Sequence, residues 1–286
     1  MRCFNCGESL SLAKFLQGTD GLLYKEYCLE NFKEGIWESS DKVPEVQIPI
    51  PQKTSPSPVK INYLESLIPY KSLLSNHPAM LYVKSRGIPE NRYLEFFISP
   101  KFYAWASKID PIFLKFKTDV PRLVIPYYGL NNDLLGFSCR AFGKEIPKYI
   151  HLRVNREKEF IYGLNHINTE KPILVVEGQI DSMFLDNCLA IGRASYKSVF
   201  LETHKDKIII IPDNDFRRNP NVCSQLKKAI EEGYNVCILP EYWKKDINEI
   251  IKSGISSLEI EKYVLSNKKN GASALLELAL ERKCNG

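Results

Sequence analysis

Three short apolar runs constrain this chain more than any other feature. They are "ILVVEG" at 173–178, "KIIIIPD" at 207–213 and "NVCILP" at 235–240. Each is continuous rather than alternating, the pattern of strands buried on both faces. Helical stretches separate and follow them: "DSMFLDN" at 181–187, "NVCSQLKKAIEEG" at 221–233 and "DINEIIKSG" at 246–254. Strands alternating with helices imply a parallel sheet covered by helices, an α/β fold.

These runs end on acids. Glu177 closes the first, Asp213 and Asp215 close the second in "IIIIPDND", and Asp246 follows the third after a short loop. Ligands bind beyond the carboxyl ends of strands in an open parallel sheet. Three strands are therefore expected to bring carboxylates to one edge. Crowded carboxylates repel, and bound Mg²⁺ or Mn²⁺ relieves the repulsion. Hard cations at such an edge suit phosphoryl chemistry. Each acid alone has an ordinary explanation: Asp181 as a helix cap, Asp213 as a turn residue. A DxD after an apolar strand also occurs in phosphatases and glycosyltransferases. Arg217 stands where the phosphatase pattern wants threonine, and the glycosyltransferase reading leaves "VVEG" unexplained. The ordered set favours a metal site.

Upstream, "RLVIPYY" and "LLGFSCRAF" read as strands joined by the turn "GLNND", and "PKYIHL" adds a third. The division expected is a cysteine-started module at 1–40, a linker at 41–60, a mixed subdomain at 61–168, the acidic α/β domain at 169–253 and C-terminal helices at 254–286. The linker holds five prolines, which exclude a helix or a central strand. Residues 61–118 read as mainly helical, breaking at Gly87–Pro89. No apolar run reaches membrane-spanning length, and no signal peptide opens the chain. Cys139, Cys188, Cys223 and Cys237 lie in strand and helix patterns and read as buried thiols, consistent with a cytoplasmic protein. A net charge of +5 permits an acidic partner without naming one.

The acid set, with "RLVIPYYGLNNDLLGFSCRAFGKEIPKYIHL" ahead of it and "IYGLNHI" leading in, resembles the Toprim polymerase core of DnaG-type primases. "HPAMLYVKSRGIP" and "CFNCGESLSLAKFL" are most similar to primases of T-even-type phages. The resemblance implies a DNA primase, a DNA-directed RNA polymerase. It would make short RNA primers on single-stranded DNA from ribonucleoside triphosphates, in the host cytoplasm if phage-encoded. It implies Glu177 as the acid at the reaction centre, Asp213, Asp215 and Asp246 as metal holders with Glu177, and Asp181 in support. Asn248 stands where bacterial primases often carry a further aspartate. Arg122, Arg140 and Lys148 match basic positions facing template and nucleotide. Tyr149 is a candidate for base stacking, and Arg217 with Arg218 for the triphosphate. A replicative helicase is a partner by analogy alone.

The first module is half of a zinc ribbon. Cys3 and Cys6 supply one pair of ligands, whereas structural zinc takes four. The missing pair is expected upstream in a longer gene, in another polypeptide, or lost. Two rivals share the acids: a Toprim nuclease, and a truncated primase that binds single-stranded DNA and helicase but synthesises little.

Overall fold

The computed structural model describes residues 62–192 and 196–283, with Leu16, Leu23 and Tyr27. Cys3, Cys6 and the expected linker lie outside the described residues. The chain divides into units Met1–Val59 and Lys60–Gly286. Everything below belongs to the second.

Its first half builds an antiparallel sheet. In order across the sheet, the strands are β1 (Ile68–Pro69), β2 (Phe97–Ser99), β3 (Arg122–Tyr128), β4 (Leu134–Arg140) and β5 (Tyr149–Arg153). Helix α1 (Pro78–Ser85) lies between β1 and β2, and α2 (Phe102–Ala106) between β2 and β3. His77 caps α1 by accepting the Ala79 amide at 3.1 Å, and Pro78 supplies the first helical residue. Residues 61–118 are thus less helical than expected. β2 has three residues, too few to show a period of two.

Register gives this sheet two faces. Leu123 pairs with Arg140, and Val124 with Cys139. Val124, Phe137, Cys139 and Leu152 form the outer face and pack with Phe102, Tyr103 and Trp105 of α2. Leu123, Ile125, Tyr127 and Leu135 form the inner face and join a core that runs on through the second sheet.

The second half is the expected α/β unit. Strand β6 (Ile173–Val176) leads through α3 (Gln179–Ser182) to β7 (Cys188–Ala190), then through α4 (Val199–Thr203) to β8 (Ile208–Ile210) and α5 (Pro220–Glu231) to β9 (Asn235–Val236). Helices α6 (Ile247–Lys252), α7 (Ser257–Asn267) and α8 (Gly271–Glu281) follow. The strands are parallel, in the order β7–β6–β8–β9. Ile208, Ile209 and Ile210 are wholly buried, which explains their unbroken pattern. The chain leaves β6 toward one edge and β8 toward the other, so these neighbours flank the point where strand order switches.

Hydrogen bonds tie the two halves together. Tyr162 and Ala190 exchange backbone hydrogen bonds at 2.9 and 3.1 Å. Gln179 donates to the Ser138 hydroxyl at 2.9 Å, inside the protein. The four described cysteines are buried, as their setting suggested. Among the described residues, no helix is long and apolar enough to cross a membrane.

Candidate active site

The acids converge where strand order switches. Glu177 directly follows β6, and its carbonyl accepts the Gly192 amide at 2.9 Å. Gly178 then turns the chain into α3 so tightly that a Cβ there would lie 2.2 Å from Oδ2 of Asp181. Asp181 is 7% exposed and accepts the Asn248 amide at 2.9 Å. This bond fixes α3 to the start of α6.

Asp213 follows β8, the neighbour of β6. Between it and Asp215 lies Asn214, whose role the sequence did not signal. Its amide donates to the carbonyls of Pro240, Trp243 and Lys244 at 3.1, 3.3 and 3.0 Å. Its backbone N–H donates to Lys245 at 2.7 Å. Asn214 therefore staples the loop after β9 beside the DxD and delivers Asp246 to the same edge. Asp246 also caps α6, accepting the Glu249 amide at 2.8 Å. Lys245, likewise unsignalled, pairs with Asp215 at 2.9 Å.

The electrostatics report the crowding. Burial first, then the charges of Glu177, Asp181, Asp246 and Asp215, push the Asp213 carboxyl up to about 8. Burial and Asp246 push Asp181 up to about 7, against the Asn248 amide and the Arg86 guanidinium. Tyr196, buried beside Glu177 and Asp213, is held protonated by burial and by both charges. Yet among the described residues no three His, Cys, Asp or Glu side chains converge on one metal position. The two observations differ in range. The acids share an electric field over several ångströms, while Asp181, Asp215 and Asp246 are each held by a protein partner. The donors are all hard oxygens, so their chemistry fits a divalent cation of the Mg²⁺ or Mn²⁺ kind.

The basic residues divide between the faces. Arg140 lies on the inner side, 6% exposed, with its guanidinium 4.8 Å from the Tyr82 ring and 4.7 Å from the Tyr149 ring. Arg86, at the end of α1, adds a second guanidinium whose charge reaches Asp181, Tyr82 and Tyr149. Asn248 is fully buried and donates to the Arg86 carbonyl, tying α1 to the acid edge. Lys148 is exposed.

Two of the expected basic residues are buried among backbone groups. Arg122 is the first. It lies one residue before Leu123, hence on the outer face, and is 0% exposed. It donates to the Pro147 carbonyl at 2.9 Å and to those of Cys139 and Lys148 at 3.4 Å, and lies 5.2 Å from the Phe102 ring. Arg217 is the second. It is buried, donating to Glu281, to Asn214 at 2.8 Å and to the Leu239 carbonyl at 2.9 Å, and its ion pair with Glu281 measures 2.8 Å. Both arginines organise backbone. A charged letter does not reveal which face of a strand it occupies.

Known structures share this fold. The zinc-binding and RNA polymerase domains of the Aquifex aeolicus primase superpose with a TM-score of 0.57 at 23% identity, over 98% of this chain and 76% of that one. A DnaG primase catalytic domain bound to single-stranded DNA gives 0.56 at 16% identity, over 74% and 78%. The fold is that of a primase RNA polymerase core. No family model matches the chain. The DNA primase of Enterobacteria phage T4 is 30% identical over 285 residues, 98% of this chain and 80% of that protein. That of Helicobacter pylori (strain J99) is 23% identical over 211 residues, 64% of this chain and 36% of that protein. The chain belongs to the DNA primase family. Its activity is that of a DNA-directed RNA polymerase of the primase type, making RNA primers for DNA replication. The nuclease and binding-protein alternatives are not favoured.

Proposed function

We propose that primer synthesis occurs at the acidic edge between β6 and β8, on a single-stranded DNA template with ribonucleoside triphosphates. The observation that carries this reading is that three segments of the chain, after β6, after β8 and before α6, bring Glu177, Asp181, Asp213, Asp215 and Asp246 into one field, which with burial raises the Asp213 carboxyl. In this scheme Glu177 accepts the proton of the primer 3′-hydroxyl as general base, or would act by holding a divalent ion that lowers the pKa of that hydroxyl. Asp213, Asp215 and Asp246, with Glu177, hold the divalent ions, and Asp181 sets the position of α6 beside them. A bound Mg²⁺ or Mn²⁺ would stabilise charge on the α-phosphate and the leaving pyrophosphate. Lys148 contacts backbone phosphate from the exposed end of β5. Tyr149 and Arg140 form one stacked unit that orients the strand near the acids.

The division at 40, 60, 168 and 253 is carried forward as the domain organisation, with Cys3 and Cys6 as half of a zinc site completed from elsewhere. The helicase partnership and the cytoplasmic location remain part of the proposal by family analogy. The test is synthesis on single-stranded DNA with labelled ribonucleotides and Mg²⁺ or Mn²⁺. The unaltered chain should give short RNA and Asp213→Ala none, while both keep DNA affinity. Equal product from the two would sink the assignment of this edge.

A further inference from the structure

The outer face of the antiparallel sheet, turned away from the acids, carries a second feature. Residues 114–118, "LKFKT", are exposed throughout. Phe116 is 43% exposed, yet it is held in place: its ring stacks on buried Tyr103 at 4.2 Å and 9°, with Phe113 at 6.0 Å and 25°. Lys115 Nζ lies 5.5 Å from the centre of the Phe116 ring. The surroundings are positive. Residues 101–120 carry four lysines and two acids, and both acids are engaged. Asp119 accepts the amides of Tyr103 and Ala104 at 2.7 and 2.9 Å. Asp110 accepts the Ile112 amide at 3.0 Å and pairs with exposed Arg156 at 3.4 Å. The cations flank the aromatic stack, and exposed Lys115 lies over the Phe116 ring that ends it.

We propose that this stack is a platform for single-stranded DNA, distinct from the acidic edge. An unpaired base extends the Tyr103–Phe116 stack as exposed Lys115 moves off the ring, and Lys115 and Lys117 take the adjoining phosphates. Aromatic stacking beside a positive surface binds single strands without reading sequence. The charge complementarity selects nucleic acid over an apolar peptide as occupant. The inference rests on the primase reading, because the strand is its template.

The experiment measures affinity for a 20-nucleotide oligo-dT by fluorescence anisotropy across a salt series. It is paired with photocrosslinking to 5-iododeoxyuridine and peptide mapping. Phe116→Ala should bind about tenfold more weakly with an unchanged salt slope. Lys115→Gln with Lys117→Gln should flatten the log–log salt slope by about 1.4, at roughly 0.7 per phosphate. Crosslinks should map to residues 102–117. Because both lysines are exposed, the double variant reports even if Phe116→Ala misfolds. Unchanged affinity and slope in folded variants, with crosslinks elsewhere, would overturn the platform and leave the primase reading intact. Lost association with a protein at full DNA affinity would overturn it too. No binding by the unaltered chain would overturn both.

Discussion

Asp213 and Asp181 release their protons late, and stability must follow. A carboxyl whose folded pKa is raised binds more protons folded than unfolded, so its contribution is lost as pH rises. In chelator, the melting temperature should therefore fall from pH 4 toward pH 8, the span between an ordinary carboxylate and the value of about 8 for Asp213. Mg²⁺ or Mn²⁺ should shrink this fall and release protons on binding, measurable by calorimetry in two buffers. Asp213→Asn should flatten the profile without metal. Arg122 makes the opposite kind of prediction. Arg122→Leu leaves the carbonyls of Cys139, Pro147 and Lys148 without its donors and should cost about 2–3 kcal/mol in denaturant unfolding. The folded fraction should bind DNA normally, whereas a phosphate-contacting arginine would show the reverse. The acids were legible because their chemistry and their strand ends were both in the sequence. Arg86 and Lys245 were not, because a lone basic residue has no pattern and its partner is 95 or 30 positions away in Asp181 and Asp215, respectively.

Among the elements, those carried by a continuous apolar run were legible, even the short β8 and β9, and those without one were not. "RLVIPYY" is β3 residue for residue, and the helices expected at 221–233 and 246–254 appear as Pro220–Glu231 and Ile247–Lys252. Strand β7 has three residues and was not among the expected strands, although it pairs with β6 through Leu174 and Cys188. Its strand character comes from its neighbour, not from its own pattern. The turn from β6 into α3 is where an element and the chemistry meet. Gly178→Ala would push a methyl against Asp181, which the Asn248 amide prevents from swinging away. We expect about 1–3 kcal/mol lost on thermal unfolding and primer synthesis reduced at least tenfold in the folded protein. Gly178→Ala with normal synthesis would show that Asp181 has room to move.

At the scale of the whole molecule, the net charge of +5 acts through where it lies. DNA affinity should drop steeply with added salt, and Lys148→Gln should flatten the log–log slope by about 0.7 for its one phosphate. The fold class was legible at this scale because continuous apolar runs admit few architectures. The joining of the two sheets was not, since Tyr162 meeting Ala190 and Gln179 meeting Ser138 leave no trace in local sequence. Those links and the uninterrupted core between the sheets have a practical consequence. Trp105 is buried on the outer face, and Trp243 sits in the loop that Asn214 staples beside the acids. Besides Trp37, the protein thus carries one tryptophan against each sheet. Because β3 and β4 give one face to the cluster of Trp105 and the other to the core shared with the second sheet, emission from the face without chemistry should report whether the face with chemistry is still assembled.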